Sequence, residues 1–107
     1  MLIQSISGIR GTIGGPAGQG LTPKDIVRFG MGYAAWVKEQ AAGARPLVVV
    51  GRDARLSGQM VRDVLVGTLQ AMGVDVLDLG LSTTPTVELA VPAEGAHGGI
   101  ILTASHN

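Results

Sequence analysis

Apolar positions along the chain fall into two alternating kinds of run: short continuous stretches, and longer stretches with apolar residues three or four apart. Residues 2–6 alternate weakly, as a strand does, and the glycine-rich segment 8–20 reads as a turn or hairpin. Thr22-Pro23-Lys24-Asp25 then supplies a capping hydroxyl, a proline for the first helical position and an acid for the first turn. The helix it starts is predicted to run to about residue 40. Ile26, Gly30, Tyr33 and Val37 form its core stripe, Gly30 and Gly32 suit close packing, and Gly43 is placed to end it.

Residues 47–50, one leucine and three valines, lack polar alternation, as expected of a strand covered on both faces. A second helix is predicted to open near Ser57, with Val61, Val64, Leu65, Thr68, Leu69 and Met72 on one face and Gly73 as its stop. Residues 74–79 form the next strand, Thr84-Pro85 repeats the cap-then-proline start for a shorter helix ending near Pro92, and residues 99–102 form a last strand. The order β, α, β, α, β, α, β predicts an α/β fold: a three-layer sandwich with a mainly parallel four-stranded sheet between helices. No internal repeat or linker divides the 107 residues, so residues 1–107 are read as one domain.

Composition narrows the function. Eight basic and eight acidic residues give no net charge, so no general field draws this surface to nucleic acid or anionic lipid, and a bound anion must be met locally. No apolar run reaches the roughly 18 residues of a membrane span, and the first residues lack a secretion signal, which makes a soluble cytoplasmic protein the expectation. Without cysteine there is no disulfide or thiolate chemistry, and two histidines without HExxH spacing leave little for a metal. Gly15 and Gly20 have P-loop spacing, but Leu21 stands where the lysine belongs; no GxGxxG or GxSxG is present.

Parallel α/β sheets gather their ligands at the strands' carboxyl ends, and three segments carry suitable chemistry. In residues 7–12 Arg10 stands between two glycines, which fits either an ordinary turn with a solvated arginine or a flexible loop whose guanidinium grips a phosphate. Arg52, Asp53 and Arg55 leave a buried strand as two cations around a carboxylate, which suits an internal ion pair ordering the loop, with Arg55 able to face an anion. Ser105, His106 and Asn107 follow the last strand. Ser105 needs a base or a carrier role to be useful, and successive side chains of an extended segment point apart, so His106 next to it also fits a structural role beside a helix-capping serine. His97 reads as a loop histidine.

Taken together, SGIRGT at 7–12, GRDAR at 51–55, LSTTPT at 81–86 and TASHN at 103–107 resemble, in order and approximate spacing, the first domain of the α-D-phosphohexomutase superfamily. That superfamily comprises phosphoglucomutase, phosphomannomutase and phosphoglucosamine mutase. TASHN after GGIIL is the most specific of these motifs. The resemblance implies a parent enzyme that interconverts hexose 1-phosphate and hexose 6-phosphate (glucose, mannose or glucosamine phosphates). Ser105 would be its phosphoserine, donating the phosphoryl group to form a bisphosphorylated sugar and taking the other phosphate back. It further implies Arg10 at the reacting phosphate, His106 and Asn107 shaping the same loop, with Asn107 in phosphate binding, and Arg52, Asp53 and Arg55 as loop-ordering residues. Mg²⁺ would be bound through the phosphate on Ser105.

In such enzymes the lysine base lies beyond TASHN, the metal-binding aspartates belong to a second domain, and later domains grip the sugar. None of those segments falls within this sequence, so the chain alone is expected to turn over negligibly. Its expected partners are a phosphosugar and the parent's remaining domains, with no nucleic acid and no membrane. A domain missing its neighbours would expose an apolar patch and self-associate. The competing reading is a standalone α/β anion-binding or scaffold module in which Ser105 caps a helix.

Overall fold

The computed structural model describes residues 6–11, 23–52 and 59–104, with side chains from 23–52 and 59–102. Seven elements follow in order: β1 (Ile6–Gly11), α1 (Pro23–Ala41), β2 (Leu47–Arg52), α2 (Gln59–Ala71), β3 (Asp75–Leu81), α3 (Thr84–Ala93) and β4 (Gly98–Ala104). The four strands form one sheet in the order β1-β4-β2-β3, and every pairing is parallel. The expected three layers and four parallel strands are therefore present.

The chain's path fixes which face each helix takes. From β1 to β2 and from β2 to β3 the chain steps across the sheet in one direction; from β3 to β4 it steps back over β2. Right-handed crossovers running in opposite directions must lie on opposite faces. Accordingly α1 and α2 pack together on one face, where Ile26, Val37, Leu65 and Leu69 meet Val48, Val50, Ile100 and Leu102. On the other face α3 places Val87 and Val91 against Val49 and Ile101. The valines of β2 thus serve two cores in alternation, which is why that run carries no polar residue.

The predicted stripe of α1 is buried, and Ala34 and Ala41 join it. Gly30 lets α2 come close: a Cβ there would lie 2.9 Å from Thr68 Cγ2. Gly32 plays no such part, because a Cβ there would meet nothing within 4 Å. Past α1 the backbone turns left-handed at Ala42 (φ 51°) and Gly43 (φ 94°), and Gly73 (φ 85°) ends α2 in the same way. Val66, outside the predicted face of α2, is also buried.

Two expectations change. Residues 8–11, expected in a turn or hairpin, instead continue the strand that holds Ile6, in register with β4, so the SGIRG stretch is held by a ladder; residues 2–5 and 12–20 lie outside the described residues. The cap of α3 is Thr83 rather than Thr84: the Thr83 side chain accepts a bond from the Thr86 N–H (3.3 Å), which leaves Pro85 inside the first turn. Thr22 and Ser57, named as starts of the first two helices, lie outside the described residues.

Candidate functional site at the carboxyl edge of the sheet

β4 occupies an inner position, so its carboxyl end is flanked on both sides. On one side Arg10 pairs with Thr103 and Gly11 with Ala104; on the other Arg52 pairs with Leu102. The next residue after Ala104 is Ser105. The sheet register therefore brings the backbone of two of the arginines singled out in the sequence to either side of the strand that leads to the serine. Arg10 reaches this place from a strand end rather than from a loop. The side chain of Arg10, and Asp53, Arg55, Ser105, His106 and Asn107 altogether, lie outside the described residues.

The neighbouring strands β2 and β3 send the chain to opposite faces, into α2 and α3, and the crevice at such a divergence is where open α/β sheets take ligands. Local sequence makes this crevice narrow. A Cβ on Gly51 would lie 2.7 Å from Val87 Cγ2 and 3.0 Å from Ser82 Cβ, so glycine is what allows the start of α3 to approach β2. The Ser82 N–H donates to the Arg52 carbonyl at 2.9 Å and ties the two edges together. Between Val50 and Gly51 the register of β2 with β3 shifts, so Gly51 pairs with Gly80 and Arg52 with Leu81.

Asp78 anchors the β3 side. Its Oδ1 accepts from the Gly80 N–H (2.8 Å) and its Oδ2 from Arg62 Nε (2.7 Å), while Arg62 also reaches Asp63 Oδ1 at 3.0 Å. Partial burial works against ionisation of Asp78. The Gly80 bond, the Arg62 bond and charge and the charge of Arg52 outweigh it, and its carboxyl is held below the usual aspartate value. The Arg62 guanidinium is pushed up, chiefly by its bond to Asp78.

Sequence reasoning missed Asp78 and Arg62, whose signal would have been an acid in the middle of the strand, between Leu77 and Leu79, and a base next to the core position Val61 of the helix. His97 lies at the other end of the strands. Its Nδ1 accepts the Leu47 N–H (3.2 Å) and its backbone N–H donates to the Leu47 carbonyl (2.8 Å), a structural tie between the residue before β4 and the start of β2.

Among the described residues no group of three His, Cys, Asp or Glu residues could hold a metal ion. Among the described residues, Asp78 on β3 has both oxygens engaged by donors and is not free to join a metal cage. Among the described residues, no helix is long and apolar enough to cross a membrane.

A parallel sheet between two helical layers, with the backbone of Arg10 and Arg52 flanking the inner strand at its carboxyl end and a serine next in sequence, is an α/β/α architecture whose carboxyl edge is where such sheets take ligands. Comparison with known proteins makes the class specific. Over residues 2–107 the chain matches the family described as phosphoglucomutase/phosphomannomutase, alpha/beta/alpha domain I, and it belongs to that family. It is 42% identical over 99 residues to a phosphoglucomutase/phosphomannomutase of Thermococcus kodakarensis, covering 91% of this chain and 22% of that protein. It is 43% identical over 102 residues to a phosphoglucosamine mutase of Lacticaseibacillus casei, and 42% identical over 103 residues to that of Levilactobacillus brevis, each match covering 94% of this chain and 22% of the relative. The chain thus spans 22% of the length of these relatives. No solved structure matches it significantly.

Proposed function

We propose that residues 1–107 act as one domain, the first of a cytoplasmic phosphohexomutase, and that Ser105 carries the phosphoryl group exchanged with hexose 1- and 6-phosphates. In the forward half-reaction the phosphorus–oxygen bond of phosphoserine 105 breaks as a sugar hydroxyl oxygen bonds to phosphorus. The hydroxyl proton passes to a base contributed from outside the described residues, and the serine oxygen is left to be protonated. The reverse half-reaction returns the sugar's other phosphate to Ser105 after the bisphosphorylated intermediate turns over.

Such transfer is accelerated by placing cations and hydrogen-bond donors around the transferred group rather than by covalent chemistry from the protein. Arg10 would supply that charge at the reacting phosphate, His106 and Asn107 would shape the loop, and Arg52, Asp53 and Arg55 would order the adjoining one. A divalent cation, Mg²⁺, would be held through the phosphate on Ser105 by ligands from further domains. Substrate binding and turnover would need those domains as partners.

The observation that carries this reading is the pairing of Arg10 with Thr103, two positions before Ser105, inside a chain that matches the family throughout. The test is a Ser105→Ala variant of the full-length protein, assayed with glucose, mannose and glucosamine phosphates by ³¹P NMR. A loss of roughly a thousandfold or more in turnover is expected on the substrate the wild type prefers. An unchanged rate would sink the proposal.

A further inference from the structure

We propose that Arg52 is itself an anion-contacting residue, whose guanidinium meets the phosphate group handled at the exit of β4. The inference rests on the reading above and extends it, because loop ordering needs no free guanidinium. Arg52 is half-buried, closes β2, and stands in register with Leu102 on one side and Leu81 on the other. It therefore lies on the rim of the crevice where β2 and β3 diverge, next to the strand that runs on to Ser105. Its backbone is fixed by both ladders and by the Ser82 N–H.

Among the described residues at this end of the strands, Arg62 is already paired with Asp78 and Asp63; Arg45, paired with Asp75, lies at the opposite end of β2 and β3. Asp78 is close enough to feel the charge of Arg52, yet its two oxygens are occupied by Gly80 and Arg62. Among the described residues the Arg52 guanidinium has no hydrogen-bond or ion-pair partner. A guanidinium partly withdrawn from water, with its donors unmatched, is under-solvated, and a bidentate oxyanion restores what burial removes. The order of the motif follows from this: Gly51 brings the wall of the crevice close, and the next residue supplies the charge.

The experiment is an NMR titration of this chain with inorganic phosphate, following the Arg52 Nε–Hε signal and the amides of residues 98–104. Phosphate is expected to shift the Arg52 signal saturably. Arg52→Gln should weaken the affinity read from the amides by roughly tenfold, Arg52→Lys by less, and Arg45→Gln not at all. Equal phosphate affinity in a folded Arg52→Gln protein would overturn the proposal. Should that variant fail to fold, an Arg52 Nε–Hε signal in the wild type that ignores phosphate would overturn it equally. Either negative result, beside a full-length Ser105→Ala enzyme that is inactive, removes this role of Arg52 and leaves the phosphoryl-carrier reading standing.

Discussion

The hydroxyl of Tyr33 on α1 closes on both backbone groups of Gly99 in β4, donating to its carbonyl and accepting from its N–H, each at 3.0 Å. Gly99 pairs with Ile6, the first residue of β1, so the tyrosine secures the inner strand where that neighbouring strand begins. The adjacent Gly98 makes room for it, since a Cβ there would lie 2.5 Å from the Tyr33 oxygen. Tyr33→Phe strands a buried N–H and a buried carbonyl and should destabilise the fold by about 1–3 kcal/mol in urea denaturation.

Gly30 and Gly32 give a paired prediction. At Gly30 a methyl would press on Thr68 Cγ2, and Thr68 cannot easily turn aside because its hydroxyl is bonded to the Val64 carbonyl at 2.7 Å. Gly30→Ala should therefore destabilise by about 1–3 kcal/mol through overpacking. Gly32→Ala meets open space within a helix and should stabilise by roughly 0.5–1 kcal/mol. Thermal melts of the two variants should move in opposite directions.

Acid should loosen the β3 side of the crevice. Asp78 has its folded value below the ordinary 3.8, so its contribution is present above that value and is lost as pH falls through it toward the folded value. Denaturation curves measured across that acidic range should show a steeper loss of stability in the wild type than in Asp78→Asn. Equal slopes would mean that the Arg62 and Gly80 bonds do not favour the ionised carboxylate.

Much of the fold was legible because the apolar runs are unambiguous. The run of residues 47–50, three of them β-branched, fits a doubly covered strand, and the stripe through Ile26, Tyr33 and Val37 fits a helix facing a core. Residues 8–11 read as a turn because their glycines signal one locally, whereas pairing with β4, far away in sequence, makes them a strand. Thr83 and Thr84 offer the same hydroxyl, and only the backbone geometry of the first turn decides between them.

The candidate site was legible in a different way. Arg10, Arg52 and Ser105 were named from motifs, but the sheet order that sets β4 between β1 and β2 is a tertiary property invisible to local pattern. Asp78 and Arg62 escaped notice because they lie sixteen residues apart and meet only when α2 folds onto the sheet.

The most direct test of the phosphoryl-carrier role is to incubate the full-length protein with a hexose bisphosphate, quench it, and locate phosphate by peptide mass spectrometry. Phosphate on Ser105, chased off by added hexose monophosphate, is the predicted result. An active enzyme whose Ser105 peptide never carries phosphate would contradict it.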